Sequence, residues 1–387
     1  MATDSTSACR DPARPSSSTS ELFGGIYARG AVAAEVGDAA WLRAMLDVEA
    51  ALARACVAEG LIPADAGDAI VAACAEPERF DLAALGAEAA DAASPVVALV
   101  RVLRERAGEH AHHGATSQDV MDTATMLVAR RALAPLLADA AAAADACARL
   151  AAEHRDTPIM GRTLLQNALP TSFGLKAAVW MSAIGEAGAW LRDVRDRALA
   201  VQMGGPVGHR DPAIAARVAQ DLGLAEPLVP WHVVRLRPAG LAAGLSALAG
   251  VLAKIARDVT LLAQGEVGEV REGGGPGRGG SSAMAHKRNP VAAVSVLACV
   301  QRAPGLAATI LGSMAHEHER AAGAWQAEWG TITELLRLTG SAAAWARDLL
   351  EHLEVDVEMM ALHAGEQPDL GASGVLVDRA LAAHRRS

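Results

Sequence analysis

Apolar positions recur along this chain at helical spacing almost from end to end. In the segment 41–52, residues Trp41, Met45, Val48 and Leu52 fall on one helical face. Arg43, Asp47 and Glu49 lie largely off that stripe. Gly60 to Pro63 punctuates this helix, residues 64–75 form the next, and Pro77 and Pro95 mark later breaks. Residues 129–155 read as an almost unbroken alanine-rich helix. From Leu241, the positions Leu241, Leu245, Leu248, Leu252, Ile255, Val259 and Leu262 step alternately by four and three, which is a heptad seam. The opposite face holds mostly Ala, Gly and Ser until Lys254. Such a helix is buried on both sides, either by other subunits or inside one large monomeric bundle. The pattern resumes after Val291 and continues to about Leu353, and the polar stretch 366–387 has room for one or two small helices. These patterns predict an all-α protein with an N-terminal helical domain over 21–108. A central bundle of long helices over 109–353 and a vestigial C-terminal segment over 354–387 follow.

Composition narrows the picture. Of 387 residues, 52% are hydrophobic but only 3% aromatic, so alanine and leucine supply the apolar surface and favour close-packed helices over sheets. A net charge of -10 gives nucleic-acid binding no electrostatic support. Five scattered cysteines without paired spacing suit a reducing cytosol. Residues 1–20, rich in Ser and Pro and without an apolar signal core, read as a disordered tail. The most apolar long stretch, 238–253, falls short of the ~20 residues a membrane span needs. A cytoplasmic protein without membrane contact is expected.

Three clusters carry candidate chemistry. The first is GGGPGRGGSSAMAHKRNP, residues 273–290. Its glycines leave few side chains to pin the segment, so it reads as a mobile loop bearing the hydroxyls of Ser281 and Ser282. Asn289 and Pro290 read as the N-cap and first position of a helix. Lys287 and Arg288 beside that positive helix end are unfavourable on their own, and an anion bound there reverses the sign. The stretch therefore reads as a lid that closes over an anionic ligand, or as a solvated linker. The second cluster is EHAHHGATSQDVMDT, where Thr116 to Asp119 opens a helix with a capping pattern. Hydroxyls and amides at such an N-terminus suit a carboxylate, although capping alone accounts for Thr116 and Asp119. His112 and His113 lack a third ligand nearby, so no metal is expected. The third is MGRTLLQNALPTSFGLK, residues 160–176, where Arg162, Thr163, Gln166 and Asn167 interrupt an apolar helix that Pro170 and Gly174 bend. Such buried polar groups need a ligand or an interhelical partner. Further along, Arg320 is placed either to grip a carboxylate or to pair with Glu317 or Glu319.

Together these stretches resemble the fumarase/aspartase superfamily. GSSAMAHKRNP is similar to its signature GSSxMPxKxNP, with Ala285 where the family has Pro. GATSQDVMDTA and GRTLLQNALPTSFG resemble its first and second motifs, in the family's order over about residues 22–360. The resemblance implies a homotetramer with a twenty-helix core, each active site being built from three subunits, and a small di- or tricarboxylate substrate without any cofactor. By position it implies Ser281 as the base and Lys287 as a catalytic cation, with Asn289 holding the substrate carboxylate. His112, Thr116, Ser117, Arg162, Thr163, Gln166, Ser282, Met284 and Arg320 are implied as further substrate contacts. Two departures matter. Leu164 stands where lyases expelling an amine carry a general-acid His, which the family's cycloisomerases also lack. The family's third helical domain is also nearly absent after Met360.

Overall fold

A computed structural model of the chain describes residues 21–275, 278–284 and 287–386. The expected tail over residues 1–20 lies outside them. Two short helices, α1 (Glu21–Tyr27) and α2 (Val32–Glu35), lead into α3 (Asp38–Ala58) and α4 (Ala64–Cys74). A 3-10 turn at Pro77–Arg79 precedes α5 (Leu82–Ala92) and α6 (Pro95–Ala107). Pro95 occupies the first turn of α6, where its missing N–H is harmless, and the Ser94 hydroxyl accepts from Val96 N at 3.3 Å. The expected breaks at residues 60–63, 77 and 95 are all present.

The central part is built on α7 (Ser117–Glu153), 37 residues long and thus spanning about 55 Å. It starts at the predicted cap, Thr116, and runs without a break through the alanine-rich stretch. After α7 the chain forms an antiparallel hairpin, β1 (Pro158–Thr163) with β2 (Gln166–Ser172), pairing Thr163 with Gln166 across its tip. This corrects the expectation of a bent helix at residues 160–176. Arg162 and Thr163 end β1, Gln166 and Asn167 begin β2, and Leu164 and Leu165 adopt φ of 51° and 66° to make the two-residue turn.

The chain returns through α8 (Phe173–Asp193), passes α9 (Pro212–Leu222) and enters α10 (Leu236–Leu262). All seven seam residues of α10 are buried, none more than 6% exposed. By length and composition, α10 and the stretch Val291–Gly312 could cross a membrane, so the apolar run does not stop at residue 253 as expected. More than half of α10's most apolar window is buried inside the protein, which is what a core helix requires. A short strand β3 (Val270–Glu272) then leads to the candidate lid, followed by α11 (Val291–Val300), α12 (Ala303–Gly312) and α13 (Ala324–Glu351). Strand β4 (Leu353–Val355) pairs antiparallel with β3, and α14 (Val357–Ala364) and α15 (Ser373–His384) close the chain. The segment α15 lies back on the bundle through Arg155–Asp378 at 2.7 Å and His384–Asp145 at 2.8 Å. Apart from two small two-stranded sheets, the described architecture is helical.

Side-chain contacts fix the direction of the long helices. Trp325 at the start of α13 donates to Asp122 at the start of α7 (3.0 Å). Arg149 near the end of α7 donates to the Glu351 carbonyl at the end of α13 (3.3 Å). The two helices therefore run parallel. Helix α10 shares this direction: the residue before it, Arg235, binds Asp122, and the segment after it reaches Glu269 beside the hairpin. Replacing Leu248 by Ala should lower stability by about 2–5 kcal/mol, because the removed methyls leave a cavity in a seam that cannot collapse. A denaturant midpoint equal to that of the parent would show that the seam is loosely packed.

Candidate active site

The near end of the bundle carries the first motif. Thr116 N–H donates to Asp119 Oδ2 at 3.2 Å, closing a capping box on α7. Asp119, fully buried, also accepts from Gln202 Nε2 (3.0 Å), Gly204 N (3.1 Å) and Gly205 N (2.8 Å). Burial raises the pKa of this carboxyl, and those donors together with the charge of Arg320 oppose the rise. Capping and loop anchoring thus account for Asp119. Arg320 does not pair with Glu317 or Glu319. Its Nη1 donates to Gln118 Oε1 (2.8 Å), its Nε to the Pro206 carbonyl (3.0 Å), and its Nη2 to the Gly205 carbonyl. It therefore fastens the 202–206 loop onto the first motif. Ser117 begins α7, and His112 sits in the preceding turn with Nδ1 2.6 Å from Glu49 Oε1. Glu49, placed off the apolar stripe by the sequence pattern, is 1% exposed because the imidazole partners it.

Behind this motif lies a buried ionic network that the sequence reading missed. Arg235 pairs with Asp122 (2.7 Å) and Glu328 (2.5 Å), all three being 3% exposed or less. Burial opposes the charge of Arg235, but Asp122 and Glu328 outweigh it and its pKa rises. The Glu328 carboxyl is pushed up by burial and drawn back by Arg235. Gln118 Nε2 bonds both Asp122 Oδ2 (3.1 Å) and the His232 carbonyl (2.7 Å), linking the network to the motif. A usable signal exists in the sequence: Glu328 lies three residues after Trp325 and four before Ile332, on the buried stripe of α13, where a carboxylate demands a partner.

The far end carries the second motif and the lid. Arg162 on β1 forks onto Glu269, with both Nη atoms at 2.8 Å. The hydrogen bonds to Glu269 raise the Arg162 pKa. His363 Nδ1 of α14 lies 2.7 Å from the same carboxylate, which is fully buried. Thr163, Gln166 and the turn leucines are exposed, Leu164 by 96%. Asn289 and Pro290 do not start a helix in the expected way. Helix α11 begins at Val291, and its N-terminal amides at Ala292 (3.0 Å) and Ala293 (2.8 Å) donate to Glu272. The anion expected at this helix end is thus supplied internally, from β3.

Asn289 closes the neck of the lid. Its N–H donates to the Gly279 carbonyl at 2.8 Å and its Nδ2 to the same oxygen at 3.1 Å. Arg278, just outside the neck, pairs with Asp348 of α13 at 3.0 Å. Within the loop, Ser281 Oγ accepts from Ala283 N (3.3 Å) and Met284 N (3.2 Å), an arrangement that also stabilises negative charge on oxygen. Ser282, Met284 and Lys287 are exposed. Ala285, the departure from the family signature, lies outside the described residues.

Within the chain the candidate residues fall into two separate groups. His112, Thr116, Ser117 and Arg320 gather at the start of α7. Arg162, Thr163, Gln166, Ser281, Ser282, Met284, Lys287 and Asn289 belong to the other end, about 55 Å away along the helix. Among the described residues no group of three or more His, Cys, Asp or Glu side chains is arranged to hold a metal.

Comparison with known proteins gives this arrangement a family. The model of a family described as "Lyase" matches residues 17–305. The chain belongs to this family, the fumarase/aspartase superfamily of enzymes. It is 44% identical over 358 residues to a 3-carboxy-cis,cis-muconate cycloisomerase of Bradyrhizobium diazoefficiens, covering 89% of this chain and 79% of that one. It is also 44% identical over 363 residues to a nitrosuccinate lyase of Streptomyces davaonensis, covering 88% and 76%. The crystal structure of the 3-carboxy-cis,cis-muconate lactonizing enzyme from Pseudomonas putida superposes with a TM-score of 0.88 at 33% identity, covering 95% of this chain and 99% of that one.

The neck gives a direct test. Gly279 has φ of +71°, and a Cβ there would lie 2.6 Å from the Asn289 carbonyl oxygen. Gly279→Ala should open the neck and lower turnover at least tenfold while the far-ultraviolet spectrum and melting temperature stay close to those of the parent. Full turnover in this variant would show that the neck geometry is not needed.

Proposed function

We propose that this protein is a cytoplasmic cycloisomerase interconverting 3-carboxy-cis,cis-muconate and 4-carboxymuconolactone, a step in protocatechuate breakdown. The observation that carries the reading is Leu164. It occupies the second-motif position where a family general acid stands, and leucine transfers no proton. A carboxylate of the same molecule leaves without protonation, whereas an amine does not. In the ring-opening direction, Ser281 removes the proton next to a carboxylate. The electron pair passes into an enediolate-like species, and the lactone C–O bond breaks to release the internal carboxylate. In lactonisation that carboxylate attacks the diene and the Ser281 hydroxyl returns the proton. Lys287 and Asn289 stabilise charge where it develops, and the two amides on Ser281 Oγ favour its ionised form. The similarity to the Bradyrhizobium and Pseudomonas proteins supports this assignment. The residues invoked need neither metal nor organic cofactor.

A homotetramer follows from the same reading. The first motif is separated by the length of α7 from the second motif and the lid. A complete site therefore forms where one chain's near end meets the far ends of others. The exposed Leu164, Leu165 and Leu169 at the hairpin are suited to cover by a partner.

A second reading is an anion-expelling lyase. It is favoured by the equal identity to the Streptomyces nitrosuccinate lyase. Nitrite, like carboxylate, leaves without a proton donor, so Leu164 fits both.

An ultraviolet assay separates the two. Rapid loss of diene absorbance with carboxymuconolactone as product is expected, and Ser281→Ala should lower this rate by orders of magnitude with assembly intact. Nitrite release from nitrosuccinate without diene loss would replace the cycloisomerase by the lyase. Mixed tetramers of Ser281→Ala and Ser117→Glu chains, each inactive alone, should recover activity. No recovery would place a whole site within one chain.

A further inference from the structure

The contact that aims His112 has no part in the chemistry above. His112 has φ of +63°, a region that side-chain-bearing residues rarely adopt. The resulting turn sends its imidazole to α3, where Nδ1 meets Glu49 Oε1 at 2.6 Å. The other carboxylate oxygen of Glu49 has no hydrogen-bond partner. A carboxylate at Nδ1 fixes the proton there and leaves Nε2 as the free edge of the ring. That ring lines a concavity together with Ser117, Arg101, Arg104, Glu105, Val97 and Val100, in which the charge of Glu105 is taken up by Arg101.

The two arginines differ in state. Arg101 is paired with both Glu88 and Glu105, each at 2.7 Å. Arg104 has no carboxylate within ion-pair reach among the described residues. Its Nε donates to the Ala111 carbonyl at 3.4 Å, which holds the guanidinium beside the turn that carries His112. An uncommitted guanidinium fork, a carboxylate-backed imidazole and a valine wall suit a carboxylate on a short hydrocarbon body.

We propose that this concavity binds a second carboxylate of the substrate, with Arg104 as its bidentate partner and Glu49 as the positioning residue that presents His112. The inference rests on the carboxylate-substrate reading and is independent of which reaction follows. It makes Arg104 a residue that distinguishes tricarboxylates from dicarboxylates.

The test uses non-reacting probes, propane-1,2,3-tricarboxylate and succinate, titrated calorimetrically into the assembled protein. The parent should prefer the tricarboxylate at least tenfold, and Arg104→Met should reduce that preference to about twofold, with partial recovery in Arg104→Lys. Glu49→Gln should weaken the tricarboxylate and change the His112 tautomer seen in its ring 15N shifts. An unchanged preference in Arg104→Met, or equal weakening of both probes, would overturn the Arg104 assignment. An unchanged tautomer in Glu49→Gln would overturn that of Glu49. A parent that shows the probe pattern but leaves muconate untouched would sink the proposed reaction and leave this site standing. A parent that binds neither probe would remove both.

Discussion

A continuous helix of 37 residues cannot bring its two ends together, and α7 imposes that separation on everything attached to it. Helices α10 and α13 run parallel to it, and α13 is tied to it near both ends, so the two groups of candidate residues are held apart by the long helices. The first motif stands at one end with Arg320 and the 202–206 loop. The hairpin and the lid stand at the other. The helices thus hold the two groups of candidate residues at a fixed separation.

Buried charge holds each end in shape. At the near end Arg235 lies between Asp122 and Glu328, and removing either carboxylate would leave a buried cation poorly compensated, a change typically worth about 3–5 kcal/mol. Through Gln118 the same network reaches Arg320 and the loop carbonyls, so the position of the first motif depends on ions that never meet solvent. At the far end Glu269 gathers Arg162 and His363, while Glu272 caps α11 and lies 3.6 Å from Arg278. Because α14 supplies His363, the short segment after β4 has a definite role in fixing the second motif. Exposed ion pairs such as Arg101–Glu105 contribute far less.

What was legible in the sequence follows from which signals are local. The seam of α10 is periodic, and period alone predicts a buried face, so all seven positions came out as read. The breaks at Pro77 and Pro95 are local in the same sense. The hairpin was hidden because its turn is Leu164–Leu165, where glycine or asparagine would ordinarily announce positive φ. Glu49 was read as solvent-facing because His112, the residue that makes its burial tolerable, lies 63 positions away. The cap of α11 was assigned to Asn289 for a similar reason. Glu272 is far in sequence, and Asn289 instead closes the lid neck. The three motifs were legible as resemblance, and their division between the two ends of α7 became plain once the helix opened by Thr116 and the alanine-rich stretch proved to be one element.

The chemistry and the architecture bear on each other at Leu164. An exposed leucine at a strained hairpin tip is unfavourable in an isolated chain, both for its backbone and for its apolar surface. Cover by a neighbouring subunit would relieve the second burden and leave a dry wall beside the reacting atoms. In the proposed mechanism a dry wall would strengthen the interaction of Lys287 with developing enediolate charge, because less solvent would compete for it. The side chain that makes protonation of a leaving group impossible would then also lower the local dielectric around the intermediate. On that account the leucine suits a reaction in which the leaving group carries its own charge and the intermediate carries the energetic difficulty.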